Sequence, residues 1–232
     1  MNPHDSHLSA NLTYLKLPFI REHYQSLAAQ AAEKQLSHID YLEQLADGEA
    51  AHHRDRFIQR RIQQARFPVI KTLDQFNWSW PKKINRLQVK NLFRLQFIPD
   101  KANVIFLGGV GVGKTHLASA LGYQACIEGH SVLFATTIDV INTLSAAQST
   151  GRMKAELKKY SRPAVLILDE LGFLPIDKAG ADLLFQVISQ LFSLLLVHRF
   201  CEPATSRPLS QLFTIALKPL VFCTPRKTLS QQ

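Results

Sequence analysis

The sequence predicts an α/β protein in which a parallel sheet, flanked by helices, follows a mainly helical N-terminal region. Two short apolar runs, at 103–107 and 164–168, have the length and composition of strands that are buried on both faces. A third apolar run, at 131–135, lies between them and is followed by a helical pattern over 137–148. Strands that alternate with helical patterns are typical of parallel sheets with crossover helices.

The N-terminal region has the periodicity of amphipathic helices. From Leu12 to Ala65 the apolar residues recur at steps of three and four. Pro18 is expected to interrupt the first helix, and the Asp47-Gly48 pair is expected to form a turn after which helix resumes. The pattern from Lys82 to Arg94 predicts one more basic helix before the first strand.

Charge is unevenly distributed along the 232 residues, whose formal net charge is +9. Residues 54–94 carry 11 basic and 2 acidic side chains, a net charge of +9, whereas residues 95–190 carry 8 of each. This segment favours phosphate contact without reading of base sequence, because no helix-turn-helix or zinc-finger pattern accompanies it; the alternative is a solvated basic helix face. The candidate DNA-contacting residues are Arg54, Arg56, Arg60, Arg61, Arg66, Lys82, Lys83, Arg86, Lys90 and Arg94.

Composition excludes several classes of protein. No stretch of about 18 or more apolar residues is present, and the first 30 residues lack the apolar core of a secretory signal. The three cysteines, Cys126, Cys201 and Cys223, are too few and too widely spaced for a disulfide framework or a zinc site. We therefore expect a cytoplasmic protein with no membrane partner.

A glycine-rich segment joins the first strand pattern to a helical pattern. The stretch from Gly108 to Thr115 reads Gly-Gly-Val-Gly-Val-Gly-Lys-Thr, which is the P-loop pattern in the strand–loop–helix context that it requires. Its N–H groups would face phosphate oxygens, Lys114 would contact the β- and γ-phosphates, and Thr115 would bind Mg²⁺. The candidate nucleotide-binding residues are Gly108, Gly109, Val110, Gly111, Val112, Gly113, Lys114, Thr115 and His116.

Two carboxylates follow the strand pattern that ends at Leu168. Asp169 is placed to hold Mg²⁺ together with Thr115, and alternation along a strand would point Glu170 away from Asp169. Glu170 is then the candidate that polarises the attacking water, and Lys114 is the second candidate catalytic residue. The carboxylate pair favours an ATP-hydrolysing P-loop protein of the additional-strand type, which includes AAA+ proteins. The sequence lacks the Asn-Lys-x-Asp motif of GTPases, so ATP is favoured over GTP.

Four stretches together resemble the IstB-like ATP-binding proteins. They are 65–76, 108–120, 168–175, which ends Leu-Gly-Phe-Leu-Pro, and 181–189, which begins Ala-Asp-Leu-Leu-Phe-Gln. The resemblance implies a helper ATPase of a bacterial insertion sequence, similar to the DnaC and DnaA helicase-loading and initiator proteins. Such a helper assembles on double-stranded DNA with ATP and delivers target DNA to a transposase, and a homo-oligomer is expected if the core is intact.

The resemblance stops at Gln190. In the family, a strand that ends in Thr-Asn or Ser-Asn orders the attacking water, and later arginines act across subunits. The tail 191–232 has no such pair, contains four prolines and has a single acidic residue. This change of composition indicates a frameshift or a truncated copy, and the alternative is a divergent but authentic C-terminus.

One apolar segment of the tail, Ser193 to Val197, is the candidate for the strand position between the two strands that end at Leu107 and Leu168. It is expected either to fill that position, which would place His198 or Arg199 near the sensor site, or to prolong the preceding helix. Residues after Phe200 are expected to be loosely packed.

The expected organisation has three parts: a helical, basic region at 1–95 for DNA or partner binding, a truncated P-loop ATPase core at 96–190, and an atypical tail at 191–232. Three functions remain open. They are a transposition helper that is active or decayed in hydrolysis, a DnaC-like helicase loader, and a non-hydrolysing nucleotide-dependent DNA-binding module.

Overall fold

The computed structural model describes residues 3–79, 84–171, 177–191 and 220–225. The chain divides into two compact units, Met1–Arg60 and Arg61–Gln232. The described helices are α1 (Pro3–Tyr14), α2 (Pro18–Glu33), α3 (His38–Ala65), α4 (Arg86–Leu92), α5 (Lys114–Ile127), α6 (Thr137–Ser149), α7 (Met153–Ser161) and α8 (Lys178–Leu191). The strands are β1 (Val104–Gly108), β2 (Val132–Thr136), β3 (Val165–Asp169) and β4 (Leu220–Pro225).

The first unit is helical, as the periodicity predicts. Pro18 occupies the first turn of α2, where its missing N–H costs nothing. No side chain of α2 itself caps that end; instead the buried carboxylate of Glu49 accepts a hydrogen bond from the Ile20 N–H at 3.0 Å. A side chain of α3 therefore completes the N-terminus of α2.

The predicted turn at Asp47-Gly48 is wrong, because α3 runs through both residues without a break. A Cβ at position 48 would lie only 1.9 Å from the Phe19 ring. The glycine is therefore needed for close packing of Phe19 against α3, and its helix-breaking tendency of about 1 kcal/mol is overridden by this contact.

The second unit is built on a parallel sheet with the strand order β1-β4-β3-β2. All five residues of β3 are buried, as predicted. In β1 the burial alternates, and Ile105 and Leu107 are exposed, so the prediction that β1 is buried on both faces is wrong. Ile105 and Leu107 occupy alternate positions and therefore lie on the same face of β1, which is the less covered of its two faces.

The strand between β1 and β3 is β4, not the segment Ser193–Val197. The backbone of β4 pairs with β1 from Val104↔Val221 to Gly108↔Pro225, and with β3 from Leu166↔Leu220 to Leu168↔Phe222. The expectation of loose packing after Phe200 is therefore wrong for 220–225. The proposed strand at 193–197, with His198 and Arg199, lies outside the described residues. Residues 220–224 read Leu-Val-Phe-Cys-Thr, a largely apolar run with two β-branched residues. Such a composition suits a strand that pairs on both sides.

A helical layer covers β3. The buried residues of α6, α7 and α8 form one apolar cluster with Leu166 and Leu168 of β3. The cluster comprises Val140, Leu144, Leu157, Tyr160, Leu166, Leu168, Leu183, Leu184 and Val187. The carboxyl end of β3 is therefore held in a packed environment, which fixes the position of Asp169.

The segment between α3 and β1 belongs to the second unit, so that unit begins earlier than the boundary at 95/96 that composition suggested. Phe67 packs edge-on against Phe134 of β2, with ring centroids 6.3 Å apart. Phe76 and Val89 form a buried cluster with Leu117 of α5. These apolar contacts attach the segment to the sheet and to the helix after the P-loop.

The predicted basic helix from Lys82 to Arg94 is shorter than expected. In the structure α4 begins at Arg86, because the side chain of Asn85 accepts a hydrogen bond from the Gln88 N–H at 3.0 Å and caps the helix. Lys82 and Lys83 lie outside the described residues. Among the described helices, none is both long and apolar enough to cross a membrane.

Candidate nucleotide-binding site

The P-loop stands between β1 and α5, as predicted. β1 ends at Gly108 and α5 begins at Lys114, with Gly113 as the residue before the helix. Gly111 and Gly113 have φ of 78° and 86°, which side chains rarely adopt. A Cβ at Gly109 or Gly111 would meet nothing within 4 Å, so the open side of the loop leaves room for a group that approaches the backbone. This is the shape of a phosphate-binding loop.

Lys114 lies across the mouth of this loop. Its Nζ donates a hydrogen bond to the Gly109 carbonyl at 2.7 Å. An ammonium group has three protons, so two remain for phosphate oxygens even if this bond is kept. The bond therefore holds the charge beside the open backbone.

Thr115 and Asp169 are brought together from positions 54 residues apart. The Thr115 hydroxyl donates to Asp169 Oδ2 at 2.9 Å. Asp169 is buried, and its own backbone carbonyl accepts a hydrogen bond from the Thr137 hydroxyl at 2.9 Å. The first residue of α6 thus fixes the end of β3 opposite the start of α5.

These two side chains fit a magnesium ion. Hydroxyl and carboxylate oxygens are ligands that Mg²⁺ prefers, and Mg²⁺ in nucleotide sites is held by one or two protein groups together with phosphates and water. Among the described residues no group of three or more His, Cys, Asp or Glu could hold a metal by itself. The arrangement therefore suits Mg²⁺ bound with a nucleotide better than a metal site formed by protein alone.

Glu170 does not continue the strand. β3 ends at Asp169, and Glu170 has φ of 60°, a left-handed conformation that non-glycine residues adopt uncommonly. Its N–H donates to Asp169 Oδ1 at 2.9 Å. Strand alternation therefore does not set the direction of the Glu170 side chain, because the strand ends at Asp169 and the backbone turns after it. Glu170 is exposed at this turn, where its carboxylate is accessible to water.

His116 faces the segment before β1. Its Nε2 lies 2.9 Å from the Thr72 carbonyl, which can only accept, so Nε2 carries the proton. Its ring also meets that of Phe76 edge-on, with centroids 5.3 Å apart. A contribution of His116 to nucleotide binding would come from its backbone N–H.

Cys126 is not a candidate nucleophile. It is fully buried in α5, and burial raises the pKa of its thiol to about 11, an effect that the nearby Arg61 partly opposes. The thiolate needed for nucleophilic chemistry is therefore scarce at neutral pH.

The exposed basic residues of the 54–94 segment are free of ion pairs within the described part of the chain. Arg54, Arg56 and Arg60 are exposed on α3, and Arg86 and Lys90 are exposed on α4. Arg61 is half-buried. Arg66 and Arg94, also exposed, complete the described members of the set.

The candidate residues taken from the sequence do not include a second basic surface, which lies on α7 and at the residue that follows it. Lys154, Lys158 and Arg162 are spaced by four residues, and all are exposed. Leu157 and Tyr160 occupy the opposite, buried face of the helix. The signal was present, because five of the eight basic residues in 95–190 fall within 152–162. Residues 95–190 carry equal numbers of basic and acidic side chains, so their net charge of zero does not show this local excess of positive charge.

Comparison with known proteins identifies the family. The family model described as IstB-like ATP binding protein matches residues 10–196. The chain is 39% identical over 183 residues to the "Insertion sequence IS21 putative ATP-binding protein" of Pseudomonas aeruginosa, covering 79% of this chain and 69% of that protein. It is 35% identical over 176 residues to the corresponding protein of insertion sequence IS5376 from Geobacillus stearothermophilus, covering 76% and 70%.

Among solved structures, AMPPCP-bound DnaA from Aquifex aeolicus is similar, with a TM-score of 0.50 and 20% sequence identity. The similarity covers 69% of this chain and 44% of that one. At this identity the likeness concerns the fold alone, and it agrees with the helix-flanked parallel sheet described above. The match of the family model covers most of the chain, and the relatives are more than 30% identical. The chain therefore belongs to the IstB-like ATP-binding protein family.

Proposed function

We propose that this chain is an ATP-binding helper for the transposition of an insertion sequence. It binds MgATP at the P-loop, binds double-stranded DNA without sequence preference, and assists a transposase in the cytoplasm. The observation that carries the proposal is the 2.9 Å contact between the Thr115 hydroxyl and the Asp169 carboxylate at the edge of the glycine-rich loop. Family membership supplies the biological setting.

Each residue of the nucleotide site has a distinct proposed role. The backbone of residues 108–116 receives the phosphates, and Lys114 neutralises the β- and γ-phosphates. Thr115 and Asp169 hold Mg²⁺, Asp169 either directly or through water. Glu170, exposed at the turn, polarises the water that attacks the γ-phosphate. Bound Mg²⁺ would offset the negative charge that develops on the phosphates.

DNA contact is assigned to the exposed basic residues at 54–94 and to the stripe Lys154–Lys158–Arg162. Glu156, the acidic residue of α7, is already bonded to Lys159 at 2.6 Å, so it does not compete for the stripe. Side chains of this kind contact phosphates and position a protein on the duplex without reading its bases. Both surfaces are therefore expected to contribute to affinity but not to sequence selectivity.

Hydrolysis is proposed to be weak. β4 occupies the strand position between β1 and β3, and its last residues are Thr224 and Pro225. The family pattern places an asparagine after the threonine or serine at the end of this strand, and proline has no side-chain amide to orient a water. Later arginines of the kind that act across subunits are not recognised in the sequence. Nucleotide binding with poor turnover and poor self-assembly follows from this combination.

Two neighbouring substitutions test the Mg²⁺ site. Asp169→Asn is expected to lower the affinity for Mg²⁺ in the nucleotide complex about tenfold or more, because an amide is a poorer ligand than a carboxylate. The Mg²⁺ dependence of ATP binding should weaken accordingly. Glu170→Gln makes the same chemical change one residue away. It should leave binding within about twofold and lower whatever turnover the chain has. Fluorescent-nucleotide titrations over a range of Mg²⁺ concentrations measure both, and equal Mg²⁺ dependence in the two variants would refute the assignment of Asp169.

The alternatives differ in partner and in chemistry. A helicase loader would bind a replicative helicase, whereas the proposed helper would bind the transposase of its insertion sequence; co-purification with each candidate distinguishes them. A non-hydrolysing DNA-binding module would share the nucleotide and DNA affinities but show no turnover at any DNA concentration. Membership of the insertion-sequence family favours the helper over the loader.

A further inference from the structure

Phe76 packs directly behind the phosphate-binding loop. It is 5% exposed, and a Cβ on Gly113 would lie 2.7 Å from its ring. Gly113 is therefore required both for its φ of 86° and for this close approach. Any movement of the loop backbone at Gly113 must be accommodated by the Phe76 ring, because the two are already in contact.

A second contact fixes the same segment to the helix that follows the loop. His116 donates a hydrogen bond to the Thr72 carbonyl and packs edge-on against Phe76. The segment 72–78 is thus attached to the P-loop at two points, one apolar and one polar. Both attachment points lie next to residues that are proposed to bind the phosphates and Mg²⁺.

At the other end of this segment, Trp78 contacts Arg86, one of the exposed basic residues of 54–94. The Trp78 ring packs edge-on against Phe76, with centroids 4.9 Å apart. The guanidinium carbon of Arg86 lies 5.5 Å from the centre of the Trp78 ring, and Arg86 Nη2 donates to the Trp78 carbonyl at 3.0 Å. Arg86 is exposed and is one of the candidate DNA-contacting residues. A continuous series of contacts therefore leads from Gly113 to Arg86.

We propose that the segment 72–78 couples the occupancy of the nucleotide site to the affinity for DNA. Phosphate binding at the loop shifts Gly113 and the start of α5, Phe76 and Trp78 follow, and Trp78 repositions the guanidinium of Arg86. The inference rests on the proposed function, since it presupposes that the chain binds both ligands. Coupling is reciprocal, so DNA changes nucleotide affinity by the same factor as nucleotide changes DNA affinity.

The chain offers its own probe for this movement. It has two tryptophans, Trp78 and Trp80, so Trp80→Phe leaves Trp78 as the single reporter. MgATP is expected to shift the emission of Trp78 with the same midpoint as the binding of a fluorescent ATP analogue measured in parallel. Unchanged Trp78 emission while the analogue binds would overturn the inference and leave the proposed function intact. Failure of the analogue to bind would contradict the proposed function itself, and the inference with it.

Phe76→Leu tests the coupling, since it keeps an apolar side chain but loses the ring contacts. In the unsubstituted protein MgATP should change the affinity for duplex DNA by a factor within the usual range for coupled sites, about 5 to 150. In Phe76→Leu this factor should fall below about 2. If thermal melting shows that Phe76→Leu is unfolded, His116→Ala at a half-buried position makes the same test by removing the bond to Thr72. An unaltered coupling factor in a folded variant would overturn the inference.

Discussion

Lys114→Ala is expected to abolish MgATP binding at any concentration used in a fluorescent-nucleotide titration. The lysine contributes charge-assisted hydrogen bonds to the same phosphates that the loop backbone receives, and each is worth about 1.5–3 kcal/mol. Loss of two such bonds weakens binding by a factor of at least about 100. Folding should be preserved, because the only hydrogen bond that Lys114 Nζ makes among the described residues is to the Gly109 carbonyl.

Lys101→Ala is the matched control for this substitution. Lys101 is exposed and precedes β1 in the same unit. Its substitution by alanine removes the same charge as Lys114→Ala. It should bind MgATP with the affinity of the unsubstituted protein, and both variants should melt at the same temperature. Retention of ordinary affinity by Lys114→Ala would show that the nucleotide binds elsewhere.

DNA affinity is expected to fall by a factor of about 10³ or more between 50 and 200 mM salt, the response of a protein with about six phosphate contacts. Because the contacts are to phosphates, duplexes of unrelated sequence should bind with affinities within a few-fold of each other. Fluorescence anisotropy with two labelled duplexes over a salt series measures both quantities. A nearly flat salt response would remove the basis for assigning these residues to DNA.

Paired substitutions locate the contacts. Arg56→Ala with Arg60→Ala should reduce the slope of log affinity against log salt by about 2, as should Lys158→Ala with Arg162→Ala on α7. Residues 1–53 carry 3 basic and 7 acidic side chains, a net charge of −4. Lys16→Ala with Lys34→Ala removes two exposed charges from these residues and should leave the slope unchanged. A smaller slope in this control pair alone would place the DNA surface elsewhere.

The P-loop and β3 could be predicted from the sequence alone, since both depend on local patterns of residues. Glycines at the loop, and a fully apolar run that ends in Asp169, specify their structure almost independently of the rest of the chain. The contact between Thr115 and Asp169 followed from the parallel arrangement of the strands, because the carboxyl ends of such strands share one edge of the sheet.

Other features depend on partners distant in sequence and could not be inferred locally. Gly48 has the composition of a turn, yet Phe19 makes it part of a continuous helix. The strand between β1 and β3 comes from residues 220–225 and not from the nearer apolar run at 193–197, because strand order is decided by pairing and not by proximity along the chain. The turn at Glu170 is a local feature, but hydrophobic periodicity does not encode the bond from its N–H to the Asp169 carboxylate.

The most direct test of weak hydrolysis is ATP turnover by the purified 232-residue chain, with and without duplex DNA, at saturating MgATP. Weak hydrolysis predicts saturable nucleotide binding that Lys114→Ala removes, together with turnover that is slow but above the Lys114→Ala background and that duplex DNA does not raise strongly. Robust turnover stimulated by duplex DNA would contradict the proposed loss of hydrolytic function. It would then establish the chain as an active ATPase.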